Sequence, residues 1–372
     1  MPYRRKRVTR SKFRRAPRWL AAALLLLAAC LVTAGLIWTA LPAPDGGIDS
    51  RRAAAQSAAV TPLYLDGAFG PPFAGEMIAQ ARGLFAAEGA RIGLQPLPAD
   101  AALFERVVAD RAIGVTTGHK FLLASWQGKP VTAFAASFLD TAASIVAPER
   151  SGIRAPRDLL GKRLGYRSGA EEVIVYDAMM AQLGLPRSSV RLMAGADLFG
   201  ALRRGELDAV ITSRRELSGQ TGDSTEKFTV IKPQDYGIHI PGLVYFASSD
   251  LVRDRPSVIR RALQAIIRGW QEVYSDPEAA AAVVAGFEPG RLSAAVVRTA
   301  LDQQRDLVRP VGMRIAEYDQ SRWNTLRDIL LFAKLGTETV ALPAAITYDF
   351  LRDVYRRSPE LDSSGMNVTR PD

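Results

Sequence analysis

The sequence predicts an α/β body that is preceded by a basic and then apolar N-terminal segment. Two observations support the prediction for the body. From residue 61 onward, short apolar runs alternate with segments of helical periodicity, and the connections between them are short. The same alternation restarts near residue 150. Alternation of this kind is typical of sheets whose parallel strands are joined by crossover helices.

The positive charge of the chain is concentrated at its N-terminus. The chain has 48 Lys and Arg against 38 Asp and Glu, a formal charge of +10. Nine of the basic residues and none of the acidic ones lie within residues 1–18. The rest of the chain is nearly neutral, which argues against a body that binds nucleic acid through a basic face.

Residues 19–41 form a continuous uncharged and mostly apolar segment. As a helix this segment would be ~34 Å long, enough to cross the hydrocarbon core of a bilayer. The basic residues before it predict that residues 1–18 stay in the cytoplasm and that everything after residue 41 lies outside. Residues 42–60 are small, polar and rich in Pro and Gly, and we interpret them as a linker.

Three fates of the apolar segment remain open. Its length favours an uncleaved transmembrane anchor. The small residues at Val32-Thr33-Ala34 would suit signal peptidase, so cleavage is an alternative. Leu27-Ala28-Ala29-Cys30 resembles a lipobox, which would make Cys30 a lipidation site. All three place the body in the periplasm or at the outer face of the cytoplasmic membrane.

The few cysteine and histidine residues exclude several kinds of site. Cys30 is the only cysteine, so an intramolecular disulfide, a cysteine-ligated zinc site or an iron–sulfur cluster is impossible. His119 and His239 are the only histidines and are too far apart in sequence to form an H-x-x-x-H pair. We expect no metal and no cofactor.

The predicted elements follow one another regularly along the body. The predicted strands cover residues 61–66, 90–97, 113–115, 131–136, 163–166, 190–192, 207–211, 228–231 and 243–247. The predicted helices cover residues 73–88, 100–110, 121–127, 156–160, 171–183, 197–204 and 255–274, followed by a mostly helical C-terminal part. Gly89, Gly184 and Gly205 follow predicted helices, where glycine readily ends a helix. The helix over 255–274 has an apolar stripe at 3.6-residue spacing.

Four segments of the body resemble, in the same order, the periplasmic substrate-binding proteins of ABC importers. The similarity is to the group that serves thiamine pyrimidine precursors, alkylsulfonates, taurine and nitrate. The segments are FAGEMIAQARGLFAAEGARIGL, IRAPRDLLGKRLGYRSGAEE, FGALRRGELDAVIT and DLVRDRPSVIRRALQAIIRGWQEVYSDPEAA. Together they are distributed over residues 73–280.

The resemblance implies a two-lobed periplasmic-binding-protein fold of type II-like architecture, with a ligand cleft between the lobes. Lobe one would comprise residues 61–148 and 244–357, and lobe two residues 149–243. The crossovers would lie near residues 147–153 and 238–243, and residues 358–372 would form a loose tail. The implied function is the ligand-binding component of an ABC importer, which works with permease and ATPase subunits and performs no catalysis.

Candidate ligand contacts in lobe one follow predicted strands, because open α/β sheets bind ligands beyond the carboxyl ends of their strands. Asp66 and Phe69 follow the first strand, Thr117 and His119 the third, and Ser137 the strand over 131–136. The structural alternatives are a turn cap for Asp66, packing for Phe69, a helix N-cap for Thr117 and a surface position for His119.

In lobe two, Ser168 and Gly169 precede the helix that begins at residue 171, where free N–H groups suit an anion. Glu171 and Glu172 occupy the first turn of that helix. Two carboxylates would repel a sulfonate or nitrate and would favour an amine-bearing or neutral heteroaromatic ligand such as an aminopyrimidine. Alternatively, they only complement the helix dipole.

Tyr236 and His239 lie near the return crossover, where hinge and cleft would meet. Two other functional classes remain as alternatives. One is a membrane-tethered domain that senses a ligand without transport. The other is a relative of the pyrimidine-biosynthesis enzymes, although the related fungal enzymes carry a cysteine-rich motif that is absent from this body. The sequence also contains neither a G-x-S-x-G elbow nor a phosphate-binding G-x-x-x-x-G-K-[ST] loop.

Overall fold

The computed structural model describes residues 60–98, 102–167, 171–213, 217, 227–317 and 319–362. The predicted N-terminal apolar helix over 19–41 and Cys30 lie outside these residues. Within the described part, none of the helices has both the length and the apolar character that a membrane span needs.

Ten strands form the sheets of the described residues. They are β1 (Thr61–Asp66), β2 (Ile92–Leu97), β3 (Ile113–Thr117), β4 (Val131–Ala136), β5 (Ala143–Pro148), β6 (Arg163–Tyr166), β7 (Arg191–Ala194), β8 (Ala209–Ser213), β9 (Phe228–Ile231) and β10 (Leu243–Ser248). Nine of them overlap the predicted strands. The tenth, β5, was not predicted as a strand.

The helices surround the two sheets. They are α1 (Ala74–Ala81), α2 (Leu84–Ala87), α3 (Leu103–Ala109), α4 (Gly118–Trp126), α5 (Glu171–Gln182), α6 (Leu198–Arg203), α7 (Ser249–Asp254), α8 (Pro256–Ser275), α9 (Pro277–Gly286), α10 (Ala294–Val308), α11 (Gln320–Phe332), α12 (Leu342–Ala345) and α13 (Asp349–Arg357). The amphipathic stripe predicted for the longest helix is confirmed in α8, whose Ile259, Leu263, Ile266 and Trp270 are fully buried.

The strands form two separate five-stranded sheets, which confirms the predicted two-lobed α/β architecture. Sheet one has the order β2-β1-β3-β10-β4, and sheet two has the order β7-β6-β8-β5-β9. We call the part of the chain built on sheet one lobe one, and the part built on sheet two lobe two. In each sheet the first three strands are parallel and the fourth is antiparallel to both neighbours. The fourth strand is β10 in sheet one and β5 in sheet two. Each of these strands is the first one that the chain forms after it has crossed over from the other lobe.

The crossovers lie elsewhere than the sequence predicted. Because β5 pairs with β8 and β9, the chain leaves sheet one after β4 and crosses at residues 137–142, not at 147–153. It returns through residues 232–242, a longer stretch than the predicted 238–243. All six residues of β5 are buried, so the segment lacks the polar–apolar alternation that marks a half-buried strand. Residues 143–148 therefore belong to lobe two rather than to lobe one.

The two crossovers are hydrogen-bonded to each other. The backbone N–H of Gly242 donates to the carbonyl of Phe138 at 3.1 Å. The side-chain amide of Gln234 donates to the carbonyl of Thr141 at 2.8 Å. A Cβ atom on Gly242 would lie 2.2 Å from the carbonyl oxygen of Asp140, so only glycine permits this approach.

The predicted loose tail is partly ordered against the body. Ser358, Glu360 and Leu361 all contact α8: Gln264 donates to the hydroxyl of Ser358, Arg268 pairs with Glu360, and Gln271 donates to the carbonyl of Leu361. Leu361 is buried in the core. The prediction was wrong for residues 358–362, because a single buried leucine in a polar stretch gives no periodic signal. Residues 363–372 lie outside the described part.

Candidate ligand-binding cleft

A cleft of about 220 Å³ lies between the two lobes. It is lined by both lobes and both crossovers, through Asp66, Pro72, Phe73, Thr117, Lys120, Phe138, Thr141, Ala142, Ala143, Glu171, Glu172, Ser213, Gly242 and Leu243. Its wall combines aromatic and aliphatic surface with a few charged groups. This composition is typical of sites for small organic ligands.

The lobe-one wall contains the carboxylate of Asp66 at the end of β1. The hydroxyl of Thr116 donates to Asp66 Oδ2 at 2.5 Å, and the ammonium of Lys120 lies 2.9 Å from the same oxygen. The three residues meet because β1 and β3 are parallel neighbours and α4 begins directly after β3. Asp66 is thus held at the carboxyl edge of the sheet, as the strand-end rule predicts.

The helix after β3 begins earlier than the sequence predicted. Thr117 is the last residue of β3, and α4 starts at Gly118 instead of residue 121. A Cβ on Gly118 would lie 2.7 Å from the carbonyl oxygen of Pro241, so this glycine lets the helix start against the return crossover. Thr117 lines the cleft, whereas the neighbouring His119 is buried in the first turn of α4.

The ring of His119 is directed to lobe two. Its Nδ1 lies 2.9 Å from Thr117 Oγ1 and 3.3 Å from Oε2 of Glu171. The side chains of His119 and Glu171 are only 8% and 10% exposed. The pair therefore forms a buried polar contact between lobe one and lobe two.

The lobe-two wall is built by the first turn of α5. Glu171 and Glu172 both line the cleft. Glu171 Oε1 is buried and has no hydrogen-bond partner among the described residues. The predicted contacts Ser168 and Gly169 lie outside the described residues.

Four further candidates from the sequence do not line the cleft. The ring of Phe69 packs on that of Phe287, with 5.1 Å between the ring centroids. Ser137 is buried, with its hydroxyl beside that of Tyr245. Tyr236 lies near Asp158 and packs partly buried against the core. A rule based on strand ends alone does not distinguish residues that pack in this way from residues that line the cleft.

His239, the fourth of these residues, belongs to a polar network at the crossovers. Its Nδ1 lies 3.2 Å from both carboxylate oxygens of Asp140. The guanidinium of Arg322 in α11 contacts the same carboxylate at 3.3 and 3.2 Å. Asp140 therefore ties both crossovers to α11 and does not contribute to the cleft wall.

Sequence reasoning missed several residues of the cleft wall. Lys120 could have been found, because it follows the predicted contacts Thr117 and His119 directly. Phe138, Thr141 and Ala142 lie in the first crossover, which was predicted elsewhere. Ser213 ends β8, where the strand-end rule applies equally well.

Among the described residues, the charges that line the cleft are predominantly negative. Three carboxylates line it, from Asp66, Glu171 and Glu172, and within this part of the chain Lys120 is the one lining cation. Lys120 is already paired with Asp66. Oxygen acceptors in such a wall suit ligand groups that donate N–H bonds or carry positive charge.

Comparison with known families agrees with this architecture. The family model described as NMT1/THI5 like matches residues 70–280, more than half of the chain, and the chain belongs to this family. It is 22% identical over 285 residues to a Haemophilus influenzae protein named for thiamine biosynthesis, with 75% of this chain and 89% of that protein covered. It is also 25% identical to the Schizosaccharomyces pombe 4-amino-5-hydroxymethyl-2-methylpyrimidine phosphate synthase, over 54% of this chain and 61% of the enzyme.

Solved structures show the same fold. The periplasmic aliphatic sulphonate binding protein SsuA from Escherichia coli superposes with a TM-score of 0.64 at 18% identity, over 77% of this chain and 91% of that protein. A sulfonate-binding SsuA from Methylobacillus flagellatus gives the same TM-score at 13% identity, over 82% of this chain and 96% of that one. The body thus has the fold of the periplasmic solute-binding proteins of ABC importers.

Proposed function

We propose that this protein is the extracytoplasmic solute-binding component of an ABC importer, which captures a small organic molecule between its lobes and delivers it to permease and ATPase subunits. The family and the fold support this proposal, and the cleft lined by both lobes supplies a place for the solute. We further infer that residues 19–41 hold the body at the outer face of the cytoplasmic membrane.

Within this function, the charge of the cleft favours an amine-bearing heteroaromatic ligand, such as an aminopyrimidine. The observation that carries this choice is the set of carboxylates among the described lining residues, those of Asp66, Glu171 and Glu172. A ligand N–H group that pairs with one of them makes a charge-assisted hydrogen bond, which is about twice as strong as a neutral one. A sulfonate or nitrate would instead meet three carboxylates.

Binding, rather than conversion, of the ligand is supported by the positions of the two histidines. His119 Nδ1 contacts Thr117 and Glu171, and His239 is paired with Asp140 outside the cleft wall. Neither ring therefore lies in the cleft wall as a general base for a bound solute. A membrane-tethered sensor would use the same cleft in the same way, and an adjacent permease gene would distinguish the two roles.

A thermal-shift screen tests the ligand class. We expect 4-amino-5-hydroxymethyl-2-methylpyrimidine to raise the melting temperature of residues 60–372 by several degrees, since ligand at 100 times its Kd adds about 2.7 kcal/mol to the free energy of unfolding. Replacing both Glu171 and Glu172 by Gln should weaken that binding, because the amides keep the size but lose the charge.

The same screen includes anions, which the proposed ligand class predicts not to bind. An alkylsulfonate, taurine and nitrate should leave the melting temperature unchanged. Stabilisation by an anion alone, strengthened by the Gln substitutions, would reject the aminopyrimidine class while leaving a solute-binding role intact. Lack of any response to all four compounds would count against the ligand groups named here.

A further inference from the structure

The contact between His119 and Glu171 joins the two lobes across the buried edge of the cleft. His119 belongs to α4 of lobe one, and Glu171 belongs to α5 of lobe two. Their side chains approach to 3.3 Å with about nine-tenths of each surface buried. An electrostatic contact that is shielded from water is stronger than the same contact at the surface.

The nearer neighbour of the ring sets its orientation. Nδ1 of His119 is hydrogen-bonded to Thr117 Oγ1 at 2.9 Å. Glu171 Oε2 lies 3.3 Å from the same nitrogen, close enough for a favourable electrostatic contact across the lobes.

We propose that His119 is a positioning residue: its contact with Glu171, which we call the clasp, holds the two lobes together and keeps the Glu171 carboxylate in the cleft wall, where it can meet a ligand N–H group. This inference rests on the proposed solute-binding function. Opening of the lobes breaks the clasp, and Glu171 then loses the contact that orients it. Ligand affinity and lobe closure thus depend on the same pair.

A second ion pair, between the return crossover and lobe one, provides a control. Lys232, the first residue of that crossover, lies 3.4 Å from Asp306 of α10. Both side chains are substantially exposed, 38% and 53%. Exposed pairs contribute little because water and salt screen them. Loss of the Lys232 charge should therefore leave the lobes closed.

The distance between the lobes can be measured directly with spin labels. Cys30 is the only cysteine, so a full-length chain with Cys30→Ser accepts labels at two introduced sites alone. Ala86→Cys in α2 and Ala181→Cys in α5 place one label on an exposed position of each lobe. Pulsed electron paramagnetic resonance then gives the distribution of inter-lobe distances without any ligand.

Four variants of this labelled chain distinguish loss of the His119–Glu171 contact from a general loss of packing. His119→Leu removes the imidazole, while His119→Asn keeps an N–H group near the position of Nδ1. Glu171→Leu removes the carboxylate from the other lobe, so the test does not depend on the folding of one variant. Lys232→Gln is the control. Circular dichroism verifies that each variant is folded.

We expect His119→Leu and Glu171→Leu to broaden the distribution toward longer distances, and His119→Asn and Lys232→Gln to resemble the parent chain. The double variant His119→Leu/Glu171→Leu should open no further than either single variant, because both remove the same contact. Identical distributions for the parent and the two folded Leu variants would overturn the clasp.

Affinity supplies the second readout, with 4-amino-5-hydroxymethyl-2-methylpyrimidine as the probe in titration calorimetry. His119→Leu should weaken binding about tenfold, because the Glu171 carboxylate that meets the ligand is no longer held in place. His119→Asn should recover most of that loss. Unchanged affinity in His119→Leu would reject the positioning role. If the parent chain does not bind the probe, the ligand class fails, and the distance distributions still decide whether the clasp exists.

Discussion

Glu76 is a carboxyl group buried in α1 of lobe one, one helical turn beyond the cleft-lining Phe73. It has no exposed surface, and the hydroxyl of Tyr245 donates to its Oε1 at 2.8 Å. Burial is the main influence on this group and raises the pKa of Glu76 to about 7. A backbone hydrogen bond of Glu76 and, to a smaller extent, the hydrogen bond from Tyr245 oppose this rise in pKa only in part.

This pKa predicts how the stability of the protein depends on pH. Below the unfolded-state value near 4.5, Glu76 is protonated in both states and its full contribution is present. As pH rises toward 7, the unfolded chain releases the proton first, so the free energy of unfolding falls. Glu76→Gln removes this slope and should be more stable than the parent at pH 8, by on the order of 2 kcal/mol.

Urea denaturation of residues 60–372 at pH 5 and pH 8 measures this difference. Glu105→Gln is the matched control, because Glu105 is about half exposed and pairs with Lys129 at the surface. Its effect should stay within about 0.5 kcal/mol at both pH values. A Glu76→Gln variant that is destabilised equally at both pH values would show that Glu76 does not titrate in this range.

At the residue scale, the sequence predicted the parts of the cleft that follow local rules. Asp66 at a strand end and Glu171 and Glu172 at a helix start all lie in the cleft wall. The pairing of His119 with Glu171 could not be predicted, because the two residues belong to different sheets and no local pattern links them. Only the closure of the two lobes brings them together.

Among the elements, the contact of α1 with α8 is unusually close. A Cβ on Gly269 of α8 would lie 2.0 Å from the carbonyl oxygen of Gly75 in α1. A Cβ on Gly75 would lie 2.3 Å from the indole of Trp270. The two helices approach through their glycines, and Trp270 packs over α1 and donates to Tyr245 at 3.5 Å.

Gly269→Ala should therefore force α1 and α8 apart. The new methyl group meets a backbone oxygen, which cannot change rotamer, so we expect a loss on the order of 3 kcal/mol in the free energy of unfolding. Gly286→Ala is the control, since Gly286 ends α9 with no atom within 4 Å of the added Cβ. Chemical denaturation of the two variants should separate them clearly. Equal stability would show that the helices separate at little cost.

Strands and helices were predicted correctly where the sequence has a periodic apolar pattern or a clear boundary. β1, β4, β6 and β9 begin and end at the predicted residues. The segment of β5, Ala143–Pro148, was missed, since a strand buried on both faces has no alternation and resembles any short apolar run. Because β5 was missed, the first crossover was predicted too late in the chain, and the part of the cleft wall that it forms was not predicted.

The molecule as a whole is organised by the order in which the chain visits its sheets. Sheet two is built from one contiguous stretch, β5 to β9. Sheet one needs the chain to return, because β10 lies between β3 and β4 and pairs with both. Asp140, His239 and Arg322 then hold the outgoing crossover, the returning crossover and α11 together.

A chain that ends at residue 242 should therefore fail to form lobe one. Without β10, β4 loses its partner within the sheet, and the fully buried Val244, Tyr245 and Phe246 are missing from the core. α8, which covers α1, is also lost. We expect residues 60–242 to aggregate or to lack a cooperative thermal transition, as measured by light scattering and circular dichroism.

Residues 60–362 provide the control for this truncation, because they keep β10, α8 and the buried Leu361 while removing only the last ten residues. This longer chain should melt cooperatively, close to the temperature of residues 60–372. If residues 60–242 were monomeric and melted at that same temperature, β10 could not be an essential strand of sheet one. Such a result would mean that each lobe folds from a contiguous stretch, and that the second crossover only joins lobes already complete.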